Sequence, residues 1–245
     1  MEVEKITIKA FKAVDDPAAC EEYVREHVKV LEDIGVFTAL KPDLSWIEDP
    51  NVIVITAHHE VLGLVAGIRV HVASFGNELP MQKHLSKLDN RISAYLGDLL
   101  PNGNGEICGL WNAHRFAGRG VPMLLMETAV AIANQVGLTS MVTFIAEYVA
   151  PYAAQSGFKL MDRLQNGGVF IYPIPSIKSH AMVLDDALSM CSADPLHRQR
   201  ILSLRLRPHQ KRSERPKGAS LQVDYELLDK APSTDEVAGR KVQAA

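Results

Sequence analysis

Cysteine is scarce in this chain. Its 245 residues include three, Cys20, Cys108 and Cys191. Their spacing is neither that of a disulfide framework nor that of a zinc site, so a reducing compartment is the default. Long apolar runs are missing too: no stretch approaches the roughly 18 uninterrupted apolar residues of a membrane span. The opening Met-Glu-Val-Glu-Lys has no apolar signal region. Charge of one sign is also absent. With 26 Lys and Arg against 29 Asp and Glu, the net charge is −3, which argues against a protein that coats nucleic acid over its whole surface. These absences lead to the expectation of a soluble, cytoplasmic protein without a membrane span. What is abundant is apolar side chain, 47% of the residues, enough at this length for one sizeable core with appendages.

Residues 6–11 alternate in strand fashion. Asp16-Pro17 then offers an N-cap and a first-turn proline, and Cys20, Val24, Val28, Leu31 and Ile34 follow at helical spacing, with Gly35 as the stop. Residues 51–56 and 61–72 read as two strands of a sheet centre, joined at His58-His59-Glu60. The two histidines have no third ligand nearby, so no metal is expected. Residues 74–104 interrupt the pattern with turn-rich ends around one or two amphipathic helices carrying Leu85, Leu88, Ile92, Leu96 and Leu99. This insertion either shapes a substrate pocket or covers a sheet edge. A helix over 121–136 and a strand over 139–146 come next, followed by a short helix from Pro151. Strands are expected over 159–164, 169–174 and 181–184. Asp194-Pro195 can start a basic helix, and residues beyond 208 are polar without periodicity and read as a flexible tail. Such a basic segment could bind RNA, acidic lipid or an acidic partner, or could simply be solvated.

The most informative stretch is Arg115-Phe116-Ala117-Gly118-Arg119-Gly120, between a strand-like run (106–111) and the helix over 121–136. Glycines turn tightly and leave no Cβ in the way of a ligand. The following helix offers unpaired N–H groups with partial positive charge behind them. That combination suits a pyrophosphate. Downstream lie Met141-Val142-Thr143-Phe144-Ile145-Ala146 and Tyr152-Ala153-Ala154-Gln155-Ser156-Gly157-Phe158. Over residues 105–160 this order resembles the acyl-CoA-binding half of the GNAT (Gcn5-related N-acetyltransferase) superfamily; the N-terminal part fits in element order only.

The resemblance implies an α/β (α+β) domain over residues 1–190, built on a mixed, mostly antiparallel sheet with helices on both faces. The 74–104 insertion precedes the fourth strand, a basic helix spans 191–207, and the tail is 208–245. It also implies transfer of an acyl group, acetyl by default, from acetyl-CoA or another acyl-CoA to a small-molecule or peptide amine. Residues 115–120 would hold the pyrophosphate, and a backbone N–H near Leu110 or Trp111 would polarise the thioester carbonyl. Glu106 would be the general base. Cys108 shares its strand face, and a covalent role for it would need a partner such as His114. Where many family members carry Asn and Tyr, this chain has Ala146 and Ala153, so the general acid falls to Tyr152 or, one turn earlier, Tyr148.

Leu79-Pro80-Met81 and the insertion also resemble acyl-homoserine-lactone and N-acyl amino acid synthases, which take longer acyl chains, often from acyl carrier protein. An acidic carrier would dock on the basic segment 198–217. The third alternative is a non-catalytic acyl-CoA-binding module. A homodimer is an open arrangement, and nucleic acid is not an expected partner.

Overall fold

The computed structural model describes residues 3–40 and 43–228. Strand β1 (Glu4–Lys12) leads to helix α1 (Pro17–Asp33), whose N-cap Asp16 accepts a hydrogen bond from Ala19 N at 3.1 Å. An antiparallel pair follows, β2 (Val52–His59) and β3 (Gly63–Val72), and His59 Nδ1 closes its turn by accepting from the Val61 and Leu62 N–H groups. The insertion forms α2 (Pro80–Leu85) and α3 (Arg91–Leu99). Next come β4 (Asn104–Asn112), α4 (Val121–Ala131), β5 (Ser140–Ala146) and α5 (Ala150–Gln155). Two short strands, β6 (Lys159–Leu160) and β7 (Val169–Ile171), precede β8 (Lys178–Leu184). The chain continues through α6 (Pro195–Leu206), β9 (His209–Glu214) and β10 (Leu221–Glu226).

These strands form one sheet in the order β6-β8-β5-β4-β3-β2-β1-β10-β9, with β7 also on β8. Neighbours are antiparallel except for β4–β5 and β1–β10. Helix α4 is buried on nearly every side because the sheet lies beneath it and α6 above it. That is why its sequence is apolar all round rather than striped. On the opposite face α1 lies over β3 and β4, and the insertion packs Met81, Leu85, Ile92 and Leu96 against Val142, Met161, Phe170 and Val183 towards the β6–β8 end. Asp89, buried within the insertion between α2 and α3, pairs with Arg91 and accepts from Gln165 N at 2.6 Å, tying the insertion to the chain before β7. No helix among the described residues is long and apolar enough to cross a membrane.

The C-terminal part departs from expectation. Residues expected in a flexible tail from 208 form the hairpin β9–β10, which extends the sheet beyond β1 through parallel pairing of Glu4–Lys9 with Leu221–Glu226. Leu221, Val223 and Tyr225 point into the core. The domain therefore runs past 190 to include this hairpin; residues 229–245 of the expected tail lie outside the described residues. The basic helix is present as α6, but several of its arginines are internal. Arg200 bridges the buried carboxylates of Glu127 (2.9 Å) and Glu214 (2.7 Å). Arg205 donates to the carbonyls of Val130, Ala131, Ala187 and Leu188. The strand expected over 159–164 is two residues long, because Met161 and Leu164 turn inward to the insertion cluster.

Candidate functional site

The site begins where β4 and β5 part. They pair in parallel only from Asn104↔Ser140 to Ile107↔Thr143, although β4 runs on to Asn112 and β5 to Ala146. Thr143 Oγ1 donates to Ile107 O at 2.7 Å in the crotch of the fork. On the other edge of β4 the pairing with β3 slips between Gly67 and Arg69, placing an extra residue of β4 around Gly109. Gly109 has φ +61, and Tyr23 Oη donates to its carbonyl. A side chain there would meet Tyr23 Oη at 2.8 Å and Arg69 Nε at 2.9 Å, so glycine is required.

Beyond the bulge Ala113 N donates to Val65 O at 2.8 Å. By alternation Trp111 N–H also faces β3, and the N–H groups of Leu110 and Asn112 face the open gap. The Trp111 side chain lies on the α1 side, at 3% exposure in a cluster with Tyr23 and Trp46. Of the two residues expected to offer an amide to a thioester, Leu110 is thus the one on the gap.

A cavity of about 990 Å³ opens into the fork. Its lining includes Cys108, Gly109 and Leu110 from β4 and Phe144, Ile145 and Ala146 from β5. Tyr23 and His27 of α1 and Pro80, Met81 and His84 of α2 close its sides. Glu106 sits at its inner end, 2% exposed. Burial pushes its carboxyl up to about 8, against the opposing effects of the Met81 N–H, which donates to it at 2.7 Å, and of Arg69 and Lys83. The first turn of the insertion helix therefore touches the expected base directly, so the insertion both covers the sheet and builds the pocket. Cys108 is buried beside it with its thiol pushed up to about 12, which leaves no thiolate for covalent chemistry.

Two residues here were not anticipated. Arg69 and His71, on β3, stand opposite Cys108 and Glu106 in the register. The Arg69 guanidinium lies over the Trp46 ring at 4.3 Å. The available signal was a lone arginine inside the otherwise uncharged run 61–72.

The 115–120 loop lies outside the cavity lining. Gly118 (φ +82) and Gly120 (φ +74) use the left-handed conformations their sequence suggested. Phe116 is fully buried, and Ala117 N closes a turn onto His114 O. Both arginines are committed: Arg115 binds Leu64 O (2.6 Å) and Glu26 (2.9 Å), and Arg119 makes a two-pronged pair with Glu4 (2.5 and 2.8 Å). What the loop offers an anion is backbone. Above it sits the β9–β10 turn: a Cβ on Gly120 would lie 2.6 Å from Pro216 Cβ, and Lys217 Nζ is 5.0 Å from the centre of the Tyr152 ring. Tyr152 accordingly stands under the C-terminal hairpin and away from the cavity lining, which contains Tyr148. Among the described residues no group of three His, Cys, Asp or Glu is placed to hold a metal.

Parallel strands that part at a bulged β4, followed by a glycine loop and a buried helix, define the Gcn5-related N-acetyltransferase fold. Solved structures share it. FeeM, an N-acyl amino acid synthase from uncultured soil microbes, matches with TM-score 0.56 and 14% identity over 80% of this chain and 99% of its own. MesI, a CoA-dependent acyl-homoserine lactone synthase, matches with TM-score 0.54 and 12% identity over 79% and 94%. BjaI, another CoA-dependent acyl-homoserine lactone synthase, solved with SAM and isopentyl-CoA, matches with TM-score 0.54 and 13% identity over 97% and 99%. At such identities the likeness is one of fold. No family model and no curated protein matches the sequence.

Proposed function

We propose that this protein transfers an acyl group from acyl-CoA to an amine by direct attack. The observation that carries this reading is the fork: unpaired β4 and β5 backbone opening onto a cavity whose inner end holds a protonatable carboxyl. The pantetheine arm lies in the gap between Cys108–Asn112 and Phe144–Ala146, paired with free backbone groups. The unpaired amides of residues 118–121 receive the pyrophosphate, and Lys217 of the hairpin turn stands at the same loop.

Glu106 takes the proton of the attacking ammonium. Because its carboxyl titrates near pH 8, it is matched to a proton transfer near neutrality. The amine nitrogen then forms its bond to the thioester carbon, and the Leu110 N–H stabilises the oxyanion, an interaction worth about 3 kcal/mol in the transition state. As the carbon–sulfur bond breaks, the nitrogen sheds its second proton to solvent, and Tyr148 on the cavity wall, better placed than Tyr152, protonates the thiolate and regains its own proton from solvent.

The cavity of about 990 Å³ takes in the gap assigned to the pantetheine arm as well as the space walled by α1 and α2. We read that second part as room for a longer acyl chain or a bulky acceptor. Delivery by acyl carrier protein remains part of this longer-chain reading, with Arg198 and Arg207 beside the exposed Leu196 and Leu206 on α6 as the docking strip.

Calorimetric titration with acetyl-CoA, decanoyl-CoA and S-acetyl-pantetheine tests the donor site. Acyl-CoA binding at least 100-fold tighter than S-acetyl-pantetheine is expected if the loop holds the pyrophosphate, and the better-bound chain identifies the acyl length. No binding of any of the three overturns the acyl-CoA reading.

A further inference from the structure

The bulge in β4 has a single peptide at its centre. Cys108 pairs with Arg69 and Trp111 with Gly67, so Gly109 and Leu110 together oppose Ile68. The bond between those two residues is the one whose N–H, on Leu110, faces the gap. A trans peptide points its C=O and its N–H in opposite directions. Whatever holds the Gly109 carbonyl therefore also aims the Leu110 N–H.

The carbonyl is held by Tyr23. Its hydroxyl donates to Gly109 O across 86 positions of sequence, from the middle of α1. The side chain is 1% exposed. Its ring stands edge-on to Trp46 and Trp111, with centroids 5.8 Å and 5.6 Å away. The ring also lies over Gly67, where an added Cβ would run into it. One residue thus packs against both strands of the bulge, at Gly67 on β3 and at Gly109 on β4. The phenol stays a donor at every pH the fold survives, because burial raises it far above its ordinary range against the opposing pull of Arg69. Its one proton is committed to the Gly109 carbonyl. A phenylalanine ring would fill the same space, so what the hydroxyl adds is that bond.

We propose that Tyr23 is the positioning residue of the oxyanion donor: its hydroxyl, the Gly109–Leu110 peptide and the thioester oxygen form one chain of hydrogen bonds. This assignment rests on the acyl-transfer reading above. Donation to a carbonyl polarises the whole amide, so the N–H at its other end becomes a stronger donor, by about 10–30% per bond. The same bond fixes the direction of that N–H before the substrate arrives, and a donor already aimed pays no reorganisation during the reaction.

Difference infrared spectroscopy of bound acetyl-CoA, labelled with ¹³C at the thioester carbonyl, reads the donor without need of an acceptor. In the native protein the carbonyl band should lie below that of free acetyl-CoA. In Tyr23→Phe it should move part of the way back, while the calorimetric Kd for acetyl-CoA stays within about threefold. With any alkylamine, arylalkylamine or amino acid that the native protein acylates, kcat should fall about 10-fold with KM little changed. That is less than the roughly 10²–10³-fold cost of deleting an oxyanion donor outright. Near-UV circular dichroism checks the fold. Replacement of Tyr23 by 4-aminophenylalanine, which keeps a weaker donor in place, should give an intermediate band and decides the matter if Tyr23→Phe does not fold. A band shifted in the native protein and left in place by both replacements overturns the proposal, as does a native band that does not shift on binding. Failure of the native protein to bind acetyl-CoA or any longer acyl-CoA overturns the acyl-transfer reading beneath it.

Discussion

Replacing Glu106 with Gln separates the charge of this residue from its shape. The amide oxygen of Gln can still accept from Met81 N, so the contact with the insertion helix survives. What disappears is a proton held by burial. The native carboxyl keeps its proton up to about pH 8, whereas the unfolded chain releases it at its ordinary value of 4.5. Over the interval between, the unfolded state binds fewer protons than the native one, so stability falls as pH rises. The contribution is intact below the ordinary carboxyl pKa and is lost as pH climbs through about 8. Each unit of that window costs about 1.4 kcal/mol. From pH 5 to pH 8 the native protein should therefore lose about 4 kcal/mol that Glu106→Gln retains.

Urea denaturation of both proteins at pH 5, 6.5, 8 and 9 measures this directly, because every other titrating group is common to the two and cancels. A difference that stays constant within about 0.5 kcal/mol across the series would refute a proton held at Glu106, and with it the poised base. The same variant should lower kcat/KM for acyl transfer by about 10²–10⁴-fold. The native protein's acyl-transfer rate should rise with pH to a plateau above about 8.

Arg200→Met should destabilise the protein by about 3 kcal/mol, since it removes the cation shared by two buried carboxylates and leaves Glu127 only His197 and Glu214 only Arg212 and Tyr225. Denaturant midpoints check it, and a change under about 1 kcal/mol would mean those remaining partners suffice. Cys108→Ala should leave kcat within about threefold, because a buried thiol pushed up to about 12 supplies no nucleophile. A loss of 100-fold or more would reinstate covalent catalysis.

Local patterns account for what was readable before the structure. Asp16-Pro17 and Gly35 bracket α1 within a residue or two. The alternation in β1 and the apolar runs of β2 and β3 place the sheet centre. Glu106 drew attention by its place on the strand before the loop, and its side chain does line the cavity. Other features depend on partners remote in the chain. Arg115 and Arg119 look like free anion ligands until α1 brings Glu26 and β1 brings Glu4 against them. The orientation of Trp111 turns on one bulge at Gly109, which shifts every later side chain to the other face. The hairpin β9–β10 was hidden by composition. Leu221, Val223 and Tyr225 do alternate, but they are embedded among charges that read as tail.

The pairing of β1 with β10 has a kinetic meaning. Glu4 leaves the ribosome well before its partner Leu221, because the two are 217 residues apart in the chain (4 to 221). Until Leu221 follows, β1 can pair with β2, while its other edge offers a row of unsatisfied backbone groups to any neighbouring chain. Parallel contacts of such long sequence separation close late, since a large loop entropy must be overcome before they form. A chain released early, or one truncated before residue 209, therefore exposes a sticky seam beside an otherwise complete sheet. The β9–β10 hairpin acts as the molecule's self-sealing edge, and aggregation during expression should track its loss more closely than changes to the loop 115–120.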